Sequence, residues 1–179
     1  MIYLTSDNHF WHQNISRFQP ESRGNFKTIE GLNEAMVEKW NDTVSEGDTV
    51  WTLGDFSFGS HDKSESIFSR LNGSINLVKG NHDYWVDKKD LHKYFQSIQD
   101  YKELKFEGFK FVLFHYPIHE WNGAHHGSLH LHGHTHGSFQ NRGKSMDVGI
   151  DTRTDLGLYS IYDVIDILSK RPACERART

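Results

Sequence analysis

Three short β-prone runs, Ile2 to Thr5, Asp48 to Leu53 and Ile75 to Val78, each stop in a polar tract. The tracts are Ser6-Asp7-Asn8-His9, Gly54-Asp55 and Lys79-Gly80-Asn81-His82-Asp83. Between the runs the pattern becomes helical. Ile29, Leu32, Met36, Trp40 and Val44 recur at three- and four-residue spacing, which predicts a helix from Thr28 to about Ser45-Glu46-Gly47. Lys63 to Leu71 predicts a second helix closed by Asn72-Gly73. Asp87 to Gln99 predicts a third, with Leu91, Tyr94, Phe95 and Ile98 on one face. Strands alternating with helices in this order imply a layered α/β domain with parallel strands. The carboxyl ends of such strands converge on one edge, so the three polar tracts are predicted to meet there.

The second half changes character. Leu104 to Phe106 and Phe109 to Phe114 flank Glu107-Gly108 and predict a hairpin ending at His115. Leu129-His130-Leu131-His132-Gly133-His134-Thr135-His136-Gly137 carries four histidines at alternate positions, and a strand puts alternate side chains on one face. A further strand is predicted around Met146 to Ile150. Ser160 and Asp163 form a capping box that opens a last helix to about Lys170. The aperiodic segment from Phe10 to Phe26 reads as a loop with room for a short turn of helix, and Arg171 to Thr179 as a frayed tail. Residues 1–179 are expected to form a single domain.

Composition narrows the function classes. A formal net charge of −4 supplies no basic footprint, so stable nucleic-acid binding is not expected. The one cysteine, Cys174, excludes an internal disulfide and a thiolate metal cluster. The apolar run after Met1 is too short for a signal peptide or a membrane span, so a cytoplasmic location without membrane partners is expected. Thirteen histidines in 179 residues ask for a chemical reason.

That reason is offered by what the strand ends deliver: Asp7 and His9, Asp55, Asn81 and His82, His115, then His134 and His136. Taken singly, Asp and Asn beside Gly are ordinary turn formers, and His115 after an apolar run is an ordinary core histidine. As an ordered set they point to metal binding. Carboxylate, carboxamide and imidazole donors without thiolate suit Mn, Fe, Zn, Ni or Co. Two Asp, one Asn and four His exceed the needs of one tetrahedral ion and suit two ions sharing a carboxylate.

The order Asp7-x-His9, Gly54-Asp55, Gly80-Asn81-His82-Asp83, His115, Gly133-His134-x-His136 resembles the calcineurin-like metallophosphoesterase family, over Ile2 to about Asp151. The resemblance implies a four-layer α-β-β-α sandwich of two mixed sheets flanked by helices. It also implies that Asp7, His9 and His136 hold one divalent transition-metal ion, that Asn81, His115 and His134 hold a second, and that Asp55 bridges them. A metal-activated bridging hydroxide would then attack phosphorus. His82 is similar to the family's leaving-group histidine, and Asp83 would orient its imidazole by a hydrogen bond. His130 and His132 have no place in the family pattern and are expected to be supporting residues.

For substrate, Trp11, His12 and Trp121 follow the metal-bearing segments and are candidates to line the cleft, where an aromatic ring can stack on a base. Arg17, Arg23, Lys79 and Arg142 are candidates for a phosphate oxygen. Protein-phosphatase members of the family carry Arg after the Gly-Asp and Gly-Asn-His blocks. Here Phe56-Ser57-Phe58-Gly59 and Tyr84-Trp85 stand instead. The expectation is therefore a Mn-dependent phosphodiesterase on nucleotide-type or other small phosphodiesters. A phosphomonoesterase or protein phosphatase, a nuclease and a non-catalytic scaffold follow in that order.

Overall fold

The computed structural model describes residues 1–87 and 89–175. Strand β1 (Ile2–Thr5) leads into two one-turn helices, α1 (Ile15–Phe18) and α2 (Pro20–Arg23), within the segment expected to be a loop with room for a short helical turn. The predicted long helix is α3 (Ile29–Thr43), capped by the Thr28 side chain, which accepts from the Gly31 N–H. Strand β2 (Thr49–Thr52), helix α4 (His61–Phe68) and strand β3 (Ser74–Val78) follow. The third predicted helix is not formed. Residues 84–87 and 89–94 make 3₁₀ turns, and Ser97–Gln99 is a strand, β4, parallel to β3 with Leu77 opposite Ile98. The spacing that suggested a helix serves two segments: Leu91 and Phe95 plug the core beneath α3 and α4, and the next residues occupy the open edge of β3.

The second half contains β5 (Tyr101–Phe106) and β6 (Phe109–Phe114), the predicted hairpin, then β7 (Leu129–His132) and β8 (Ser145–Asp147). The short β9 (Tyr159–Ser160) runs into α5 (Ile161–Ser169), whose capping box is formed in both directions. Two mixed sheets result, with orders β4-β3-β2-β1-β9 and β5-β6-β7-β8. Strands β1 to β4 are mutually parallel, as are β6 to β8.

Period-two alternation sorts the core into layers. Val50, Ile75 and Leu77 face α3 and α4 on the outside of the first sheet. Leu4, Trp51, Leu53 and Val78 face inward onto Phe111, Leu113, Leu129 and Leu131 of the second sheet, with Ile161, Val164 and Leu168 of α5 joining this layer. The outer face of the second sheet carries Val112 and is covered by Trp121 and Ala124, with Cys174 against them. The expected frayed tail is thus packed up to this point, and the Arg171 guanidinium donates to the Ser145 carbonyl. Residues 176–179 lie outside the described residues.

Candidate metal centre

The carboxyl ends of β1, β2, β3, β6 and β7 meet at one edge, because the two sheets pack face to face with these ends on the same side. The backbone turns sharply as it leaves them. Asp7, His9, Asp55, His134 and His136 all have left-handed backbones, with φ between 48° and 67°. Asp and His enter this region more readily than most residues, yet each such turn costs on the order of 1–3 kcal/mol. Cross-links hold the turns in place. Asp7 N–H donates to Gly54 O at 2.9 Å, His9 N–H to Asp55 O at 3.0 Å, and Gly133 N–H to His115 O at 2.9 Å. The His134 N–H donates to the Asp7 carboxylate at 2.9 Å.

Glycine makes the close approach possible at two points. Gly54 has φ +94°, and a Cβ there would lie 2.4 Å from Gly80 N and 2.8 Å from His115 Nδ1. A Cβ at Gly133 would overlap Ser6 Oγ and the Asp7 carboxylate.

Two donor sets result. Asp7, His9 and His136 bring one ligand atom each within 4.8 Å of one another, and so do Asp55, His115 and His134. Asn81 joins the second set, its Oδ1 3.0 Å from His115 Nε2. Asp55 Oδ2 lies between the sets, 3.7 Å from His9 Nε2 and 3.6 Å from His115 Nε2. Both ring nitrogens of His9 are buried with no hydrogen-bond partner. A buried polar atom without a partner costs on the order of 1–3 kcal/mol, and a metal ion would satisfy it. The residues therefore fit a pair of ions.

Electrostatics favour the ligand form of most donors. Burial lowers the His9 and His134 imidazoles, outweighing the pull of nearby Asp7, so their lone pairs stay free. Burial pushes the Asp7 carboxyl up, but His9, His136 and His115 around it win and hold it below the usual range. His136 goes the other way: burial lowers it, and the hydrogen bond to Asp151 together with the negative charges of Asp7 and Asp151 more than compensates.

Supporting residues fix the donors. His115 Nδ1–H donates to Leu53 O at 2.7 Å, which leaves Nε2 facing the centre. His136 Nδ1–H donates to Asp151 Oδ2 at 2.7 Å. Arg23, proposed from sequence as a phosphate ligand, is instead fully buried. Its guanidinium pairs with Asp151 and donates to the Asp7 and Asn8 carbonyls. Asp147 binds the Thr135 hydroxyl and the Gly137 N–H, anchoring the turn between His134 and His136. Sequence reasoning missed Asp147 and Asp151 as supports, since neither sits in a recognisable motif.

Three other expectations need correction. Asp83 does not orient His82. Its carboxylate accepts from the backbone N–H groups of Asp55, Phe56 and Gly80 and from the Trp85 indole, tying the loop after β2 to the loop after β3. Trp121 is buried and donates to Ser128, on the far side of the second sheet. Trp11 is held against α4 by its indole N–H, which donates to Lys63 O at 2.8 Å.

His12 does border the site, stacked on Phe58, which also contacts the His9 and His82 rings at 4.8 and 4.7 Å. His82 stands half-buried at the rim, 6.2 Å from the His9 ring, while its backbone N–H donates to Asp55 Oδ1. His130 and His132 do share a face, but it is the outer one, where His130 lies against Trp121. Among the remaining basic candidates, Lys79 pairs with Asp100, Arg142 contacts His119 and Arg17 is exposed on α1.

Comparison with known proteins agrees with this geometry. A family model described as the calcineurin-like phosphoesterase superfamily domain matches residues 1–148. An uncharacterized protein of Methanocaldococcus jannaschii is 31% identical over 137 residues, covering 75% of this chain and 69% of that one. The crystal structure of a protein of unknown function from Aquifex aeolicus superposes with a TM-score of 0.74 at 28% identity, covering 93% of this chain and 98% of that one. A structure described as a novel archaeal phosphodiesterase shares the fold with a TM-score of 0.50 at 22% identity, over 83% and 82% of the two chains.

Proposed function

Because the chain belongs to the calcineurin-like phosphoesterase superfamily, and so is a hydrolase of phosphoester bonds, we propose that it is a two-metal phosphodiesterase acting on small diesters. The observation that carries the two-metal part is Asp55, whose Oδ2 is nearly equidistant from an imidazole of each donor set. Asp7, His9 and His136 would hold one ion, Asn81, His115 and His134 the other, with Asp55 between. Such a pair, when bound, polarises phosphoryl oxygens and lowers the pKa of water enough to supply a nucleophile at neutral pH.

The protein's own contribution is placement. The turns at Asp7, Asp55 and His134–His136 fix the donors before substrate arrives, so little reorganisation is needed during reaction. His82, half-buried at the rim and held through its backbone by Asp55, is the side chain suited to give a proton to the departing alkoxide.

The preference for diesters rests on Arg23. A monoester dianion gains most from a guanidinium clamp. Here Arg23, the arginine packed against the Asp7–Asn8 backbone, is buried and committed to Asp151 and two carbonyls. Steady-state turnover with Mn²⁺ tests this reading. A higher kcat/KM for bis-p-nitrophenyl phosphate than for p-nitrophenyl phosphate is expected. The reverse order would overturn it in favour of a monoesterase.

A further inference from the structure

A cleft of about 480 Å³ opens beside the metal centre on the Asn81 side. Its walls include Lys79, Asn81, Tyr84, Phe114 and Tyr116. Two of these aromatic rings touch the site itself. Tyr84 stands edge-on to His82 at 6.2 Å. Tyr116 lies 4.7 Å from the His134 ring and 4.9 Å from that of His115, with Phe114 packed behind it at 5.6 Å.

Both tyrosines leave ring surface in water, Tyr84 at 74% and Tyr116 at 38% exposure. Single exposed aromatics need no explanation, but a group of them around one cleft does. Phe18 is also exposed and packs on His12, which borders the same site. The aromatic rings that line the cleft are thus Tyr84, Phe114 and Tyr116 rather than Trp11 and Trp121.

We propose that the cleft between Tyr84 and Tyr116 is a subsite for a planar nucleobase carried by one ester group, so that the favoured diesters are nucleotide-type. This rests on the phosphoesterase reading and adds the identity of the substituent. The volume lies in the range of small-ligand sites. A ring stacked on an exposed aromatic gains roughly 1–3 kcal/mol, whichever base it is. The cleft is not purely apolar: the Lys79 ammonium lies in its wall, 2.7 Å from Asp100. A hydrocarbon substituent would leave that pair and the tyrosine hydroxyls unmatched, whereas a heteroaromatic ring offers a π face and polar edge atoms together.

The test is calorimetric titration of Mn²⁺-loaded protein with adenosine 5′-monophosphate and with ribose 5-phosphate, which present the same phosphate with and without a base. The nucleotide is expected to bind at least tenfold more tightly. Tyr84→Ala should erase most of that gap while leaving ribose 5-phosphate affinity within about twofold, and Tyr116→Ala should erase it as well. Tyr84→Phe, which keeps the ring, should preserve it. Equal affinities in the unaltered protein, or a gap that survives both alanine variants, would overturn the subsite. Diester turnover measured on the same preparation separates the two levels: turnover without a base preference sinks the subsite alone, while absence of both turnover and phosphate binding sinks the underlying reading too.

Discussion

His136 is the one donor whose far nitrogen is held by a carboxylate, and that carboxylate is itself gripped by a buried arginine. The pairing fixes the tautomer, presents Nε2 to the centre and makes the imidazole a stronger donor. His136 and Arg23 hold the Asp151 carboxyl well below its usual range against the effect of burial, so it acts as an anion throughout the neutral range. Asp151→Asn should weaken one of the two ions by about 10- to 100-fold and spare the other. Mn²⁺ titration calorimetry on apo protein would read this as loss of one binding phase. Two unchanged phases would remove Asp151 from the site. Arg23 and Asp151 were not legible as a pair in the sequence, because 128 positions separate them and only the packing of α2 against the 150–152 turn joins them.

At the level of elements, the site is a set of strand-end turns cross-braced by acidic side chains, and Asp83 is the brace between the β2 and β3 turns. It accepts four N–H bonds. An amide in its place keeps one acceptor oxygen and aims donors at donors. Asp83→Asn is therefore expected to cost on the order of 2–5 kcal/mol, a fall in Tm of roughly 5–15 °C for a chain of this size. Thermal unfolding checks this; a variant with unaltered Tm and impaired turnover would instead favour a direct role at His82.

The metal donors were legible because each sits in a short block at the end of an apolar run, and the parallel order tells where those ends go. The brace was legible as a residue, inside Gly80-Asn81-His82-Asp83, but not in its partners, which are backbone groups of a different loop. The helix expected over Asp87 to Gln99 failed for a related reason. Periodicity reports which residues face the core, and Leu91 and Phe95 do, but the unpaired edge of β3 decides that Ser97–Gln99 become a strand. The histidine strand shows the same limit: His130 and His132 obey the alternation, while His134 and His136 lie beyond β7, in left-handed turns.

The two-sheet architecture buries histidines far from the chemistry, and this shapes how the whole molecule responds to acid. His130 donates from Nδ1 to the Val112 carbonyl and accepts the Ile118 N–H at Nε2. Burial lowers its pKa to about 4. An unfolded histidine titrates near 6.5, so between those values the unfolded chain binds more protons than the native one. Stability should therefore fall as pH drops from about 6.5 to about 4, by at most about 3 kcal/mol from this residue. Urea midpoints measured across that window should fall less steeply in His130→Asn than in the unaltered protein. Parallel slopes would show that His130 is not a source of the acid sensitivity.

No helix among the described residues is long and apolar enough to cross a membrane, and the five converging strand ends give the molecule one concentrated functional edge. The two ions proposed for that edge share Asp55. Electron paramagnetic resonance of the apo protein titrated with Mn²⁺ tests this sharing most directly, since two ions about 3.5–4 Å apart, as in other two-metal sites, are magnetically coupled. Saturation at two ions per chain with a coupled spectrum is expected, and loss of the coupling in Asp55→Asn. Saturation at one ion, or two ions with uncoupled spectra, would contradict it.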